Sequence, residues 1–156
     1  MRLEQFINEG PSKYWKFPTE SDMKSDFNEY KVKESYKWER RAKQNGFRFP
    51  IFKDFEDYKK SLKSGKVISL TSSLFNKLPN STNYSNMDDL RSLVQSYHRP
   101  RDINRIIKGF DNNEKIPYPV ILKGSKGYYR LSGNTRTNVA MIKKIPVMVL
   151  IVDVSE

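Results

Sequence analysis

The run Gly127-Tyr128-Tyr129-Arg130-Leu131-Ser132-Gly133-Asn134-Thr135-Arg136-Thr137-Asn138-Val139-Ala140-Met141 gathers the residue types in this chain most suited to chemistry. It reads as an apolar-alternating strand, a tight turn at Gly133, and a helix opening on polar residues and an arginine. A helix start leaves backbone N–H groups without intrahelical partners and carries partial positive charge. Glycine lets a ligand approach the backbone, and an arginine one turn in can clamp phosphate oxygens. The local chemistry is that of an anion pocket, with phosphate the expected anion. Each residue also has a plain structural use. Gly133 suits a left-handed turn, Asn134 a helix cap, and Thr135 and Thr137 either phosphate donors or polar surface. Arg136 sits where the helix dipole disfavours a cation, so an anionic ligand or a paired carboxylate is expected beside it.

A second cluster, His98-Arg99-Pro100-Arg101-Asp102, joins two predicted helices. His98 is the only histidine in the chain and Asp102 could act as a base or metal ligand, which makes these two the catalytic candidates. A solvated loop histidine and a helix-capping aspartate are the structural alternatives. A third cluster, Lys37-Trp38-Glu39-Arg40-Arg41, interleaves cations with an aromatic, and Tyr30 and Tyr36 lie nearby. Lys37, Arg40 and Arg41 are the candidate nucleic-acid contacts, because such surfaces stack bases and neutralise phosphates. Trp38 itself is expected in the core.

Composition limits the alternatives. The chain of 156 residues is long enough for one domain with a real core, and 37% hydrophobic residues mark it as foldable. Without cysteine there is no disulfide framework, thiolate zinc site or thiol nucleophile. No apolar run reaches membrane-spanning length and the first residues lack a signal-peptide core, so no membrane partner and a cytoplasmic location are expected. The net charge of +11 is spread over both halves and points to a polyanionic partner, with DNA favoured.

The elements that position these residues follow from periodicity and punctuation. A helix is predicted from Ser21 or Asp22 to about Gln44, stopped by Asn45-Gly46. Phe47–Phe52 reads as extended, Asp54 caps a helix from Phe55 to Ser64, and Val67–Leu70 reads as a strand. Pro79–Asn86 is a polar loop. Asn86 with Asp89 starts a helix bearing Leu90, Leu93, Val94 and Tyr97, and Pro100 starts another bearing Ile103, Ile106, Ile107 and Phe110. Pro119–Leu122 and Tyr128–Ser132 form a hairpin, a helix runs from Asn134 to about Lys144, and Val147–Val154 closes the fold as a strand. The class is α+β: a basic helical N-terminal extension over residues 1–86 and an α+β core over 87–156.

The segments Pro119-Val120-Ile121-Leu122, Leu131-Ser132-Gly133-Asn134-Thr135-Arg136, Val139-Ala140 and Ile145-Pro146-Val147-Met148-Val149 together resemble the N-terminal domain of ParB partition proteins and the sulfiredoxin fold. The likeness covers roughly residues 87–154. It implies a small ParB/sulfiredoxin-like core that binds nucleotide phosphate at the turn, the Gly133 turn and Thr135 backbone cradling phosphate and Arg136 neutralising it. It also implies Arg101 and Arg105, on the preceding helix, as secondary phosphate contacts. The expected cofactor is ATP or CTP with Mg²⁺. Sulfiredoxins carry a cysteine where Asn134 stands, so reduction of sulfinic acids is excluded. ParB-like and kinase-like members carry a glutamate there, and an asparagine cannot act as a general base. The expected function is a nucleotide-binding protein acting on or near nucleic acid, with phosphotransfer or nucleotide hydrolysis as its enzymatic form. The alternatives are a non-catalytic DNA-binding accessory protein and an interaction module or inhibitor of an acidic partner.

Overall fold

The structure, a computed structural model, describes residues 13–32, 35–79, 86–95 and 103–156. Its centre is a parallel pair of strands, β4 (Val120–Lys123) and β6 (Met148–Asp153), with Val120 opposite Leu150 and Leu122 opposite Val152. Near-continuous Val, Ile and Leu suits strands covered on both faces, and Ile121, Leu122, Val149 and Leu150 are all buried. β5 (Tyr128–Ser132) folds back antiparallel on β4, and β2 (Lys66–Ser69) lies antiparallel on the far side of β6. The sheet order is therefore β2-β6-β4-β5, and a separate parallel pair joins β1 (Trp15–Lys16) to β3 (Ile116–Pro117).

The helices are α1 (Glu20–Val32), α2 (Ser35–Asn45), α3 (Phe55–Lys63), α4 (Ser72–Lys77), α5 (Met87–Gln95), α6 (Ile103–Asp111) and α7 (Asn134–Ile142). The fold is α+β. Caps read from the sequence hold in place: Asp54 accepts from the Asp57 N–H at 2.8 Å, and Asn86 accepts from the Asp89 N–H at 2.9 Å. The single helix expected from Ser21 to Gln44 is instead two. Thr19 starts the first, its hydroxyl accepting from the Asp22 N–H while the Asp22 carboxylate accepts from the Thr19 N–H, at 3.1 and 2.9 Å. The division has a packing cause, since α1 lies against α3 whereas α2 lies against β5.

Packing also crosses the expected boundary at residue 86. β2 supplies one edge of the sheet because β6 is an interior strand and needs a neighbour on each side. Trp15 Nε1 donates to the Pro146 carbonyl at 2.8 Å, and the Trp15 ring meets Phe110 edge-on. At the end of α2, the N–H groups of Ser125 and Lys126 donate to the carbonyls of Gly46 and Asn45 at 3.2 and 3.0 Å. Gly124 permits this approach, since a Cβ there would lie 2.0 Å from the Asn45 carbonyl oxygen.

Candidate functional site

β5 ends at Ser132, the chain turns at Gly133, and α7 begins at Asn134. Gly133 is left-handed, with φ 93°, and is the N-cap of α7 with no side chain to cap it. The space a side chain would take is filled from within: a Cβ would lie 2.6 Å from Pro119 Cβ and 2.7 Å from Pro119 Cα. Gly133 thus serves the approach of Pro119, which occupies the Cβ side of the turn.

The polar residues after it are largely turned inward. Thr137 is fully buried, and its hydroxyl and N–H both donate to the Gly133 carbonyl, at 2.7 and 2.9 Å. It is a structural bracket for the turn and not a phosphate donor. Thr135 is also buried. Asn134 is the first helical residue, not the cap, and its Oδ1 accepts from Arg130 Nη2 at 2.6 Å and from Asn138 Nδ2 at 3.0 Å. Asn138 also donates to the Asn134 carbonyl at 3.0 Å. Sequence reasoning missed Arg130. It is only 3% exposed, and the signal was an arginine in the middle of a strand leading into a polar helix start.

Arg136 is half-buried and donates from Nη2 to the Tyr118 carbonyl at 3.2 Å. Its guanidinium lies within electrostatic reach of Tyr58 on α3. Burial pushes the Tyr58 phenol far above the usual tyrosine range, the Asp26 carboxylate adds to the rise, and Arg136 opposes it. Tyr58 on α3 and Arg136 on α7 are therefore electrostatically coupled, which the sequence did not indicate. The Tyr58 hydroxyl, fully buried, has no hydrogen-bond partner among the described residues. The start of α7 thus carries one half-buried guanidinium, that of Arg136, and one buried one, that of Arg130 bonded to Asn134.

Arg105 is exposed on α6, while His98, Arg101 and Asp102 lie outside the described residues. On α2, Trp38 is buried as expected. The Arg41 guanidinium lies over the rings of Trp38 and Tyr129, 4.8 and 4.6 Å from their centroids, so it is a packing residue before it is a nucleic-acid contact. Lys37 is half-buried and Arg40 exposed. A groove of about 290 Å³ lies elsewhere, lined by Leu70, Phe75, Met141 and Val147 among others, and includes none of the turn residues. Among the described residues no group of three His, Asp or Glu side chains could hold a metal ion, and no helix is long and apolar enough to cross a membrane. Comparison with protein-family models, with characterised proteins and with solved structures finds no match for this chain.

Proposed function

We propose that this protein binds a nucleotide through its phosphates at the start of α7 and acts on or near nucleic acid, on a core of the ParB/sulfiredoxin-like type. The observation that carries the reading is that Arg130 is bonded to Asn134 at the start of α7 and that Arg136 stands in the first turn of the same helix, where the dipole already favours an anion. Arg136 is the contact residue. Arg130, held on Asn134, adds positive potential behind the turn. Mg²⁺ would arrive on the phosphates of the nucleotide, a common mode for an ion that keeps most of its waters.

The test is thermal unfolding of the full chain with ATP, CTP, GTP, ADP and pyrophosphate, each with and without Mg²⁺. A ligand of the native state raises the midpoint by mass action. Arg136→Ala should weaken the responding ligand by about 1.5–3 kcal/mol, the scale of a charge-assisted bond. A midpoint that no phosphate ligand moves would remove the reading.

The second reading, a non-catalytic DNA-binding accessory protein, is favoured by one observation. Asn134 presents a carboxamide already bonded to Arg130 and Asn138, so that position supplies no base. This form of the protein binds nucleotide without turning it over. Robust phosphoryl transfer or hydrolysis by the wild-type chain would refute it, and Asn134→Glu would test whether an acid at that position creates activity.

A further inference from the structure

We propose that the exposed stripe Tyr36, Arg40 and Lys43 on α2, with Lys126 on the hairpin tip fixed to the C-terminal end of that helix, is a docking surface for single-stranded nucleic acid. The proposal rests on the nucleic-acid part of the reading above and not on the turn at Gly133. β5 separates the two places. It runs from the hairpin to the turn, a span of roughly 15 Å at the usual rise of a strand.

Positions 36, 40 and 43 stand at i, i+4 and i+7 and share one helix face. All three are exposed, whereas Trp38 and Ala42 are buried and Arg41 is stacked on aromatic rings. Tyr36 is 64% exposed, a large aromatic surface left in water beside cations. The hairpin tip is fixed to the end of this helix by the Lys126 N–H bond to the Asn45 carbonyl, with no room for a side chain at Gly124. Lys126 is thereby held beside the C-terminal end of α2, the end that carries Lys43. Acidic groups nearby are few. Glu39 is exposed on the same face of the helix, three residues after Tyr36 and four before Lys43, so the stripe carries one acid among its cations; Glu156 donates its N–H to the Gly46 carbonyl, and Asp153 sits opposite Lys123 across the sheet.

Charge alone would suit any polyanion, and the tyrosine narrows the choice. An exposed ring flanked by cations stacks on bases, which a single strand presents and a duplex keeps stacked internally. The surface is open, which suits a strand whose backbone follows Arg40, Lys43 and Lys126 while one base rests on Tyr36.

The experiment is fluorescence anisotropy of a labelled oligothymidine and of the matching duplex, titrated with the full chain over a range of salt. The wild type should favour the single strand. Tyr36→Ala should weaken single-strand binding roughly tenfold and leave the duplex unchanged, while Tyr36→Phe retains affinity. Lys43→Glu with Lys126→Glu should weaken binding and lower the salt slope by about 0.7 for each phosphate no longer neutralised. Lys77→Glu with Lys115→Glu lowers the net charge equally at exposed sites off the stripe and should have a much smaller effect. Every substituted side chain is exposed, so unfolding midpoints should match the wild type. Equal weakening by the two lysine pairs, or full affinity in Tyr36→Ala, would overturn the surface. A preference for polyglutamate over the oligonucleotide would also overturn it. No salt-dependent binding of any oligonucleotide by the wild type would overturn both the surface and the nucleic-acid part of the proposed function, while the nucleotide response at the turn stands or falls separately.

Discussion

Replacing Gly133 with alanine should destabilise the protein by about 2–5 kcal/mol, and the two parts of that cost can be separated. One part is conformational. At φ 93° the residue is left-handed, and an L side chain there costs roughly 1–2 kcal/mol. The other part is steric. The new Cβ would lie 2.7 Å from Pro119 Cα, a backbone atom that cannot swing away, and overpacking of this kind costs about 1–3 kcal/mol. For a chain of this size each kcal/mol lowers the midpoint by about 2–4 °C, so a fall of roughly 10 °C is expected. Urea unfolding should show a lower midpoint concentration with an unchanged slope. Gly133→Asn separates the parts, because asparagine tolerates the left-handed region yet brings the same Cβ. It should lose mainly the steric share. Gly109→Ala is the control: its closest contact would be the mobile end of the Ile116 side chain, Cδ1 at 2.9 Å, with Glu114 Oε2 at an ordinary 3.5 Å, and a helical alanine recovers about 0.5–1 kcal/mol. It should remain within about 1 kcal/mol of the wild type. A Gly133→Ala protein as stable as the wild type would refute the geometry of the turn, and with it the placement of Arg136.

Three further outcomes follow from the same geometry. Asn134→Ala removes the acceptor of two buried donors, Arg130 Nη2 and Asn138 Nδ2, and should cost about 2–4 kcal/mol by urea titration; a neutral result would mean the network does not organise the turn. Tyr58→Phe deletes a buried hydroxyl with no hydrogen-bond partner among the described residues and should leave stability at neutral pH equal or higher. Because the folded pKa of Tyr58 is raised above its ordinary 10.0, the stability tied to the neutral phenol is complete below that pH and is lost as pH rises past it. The wild type should therefore lose stability above pH 10 more steeply than Tyr58→Phe, while Tyr30 and Tyr118, also raised by burial, contribute equally to both; identical alkaline profiles would refute the assignment. Arg41→Ala removes the guanidinium stacked on Trp38 and Tyr129 and should cost about 1–2 kcal/mol, with an altered tryptophan emission; unchanged stability and emission would return Arg41 to the solvent.

What the sequence determined by itself was local. The strand–turn–helix around Gly133, the caps at Asp54 and Asn86, and the apolar runs of β4 and β6 depend on backbone conformation and side-chain periodicity, which neighbours in the chain dictate. The α+β class followed from their order. Tertiary structure decided how these pieces spend their polar groups. It divided the predicted long helix into α1 and α2 because each buries its apolar face on a different partner. It placed Pro119 in the space beside Gly133, turned Thr137 inward, tied Asn134 to Arg130, and brought Asp26 and Arg136 each within electrostatic reach of Tyr58. It also drew Arg41 onto two rings from elements far apart in sequence, and set Lys126 beside the end of α2. The physical reason is the same throughout: a cap or a strand is set by a few bonds along the chain. Whether an arginine faces a ligand, a carbonyl or an aromatic ring depends on which distant groups its burial brings within about 3–5 Å, and spacing in the sequence does not encode that distance.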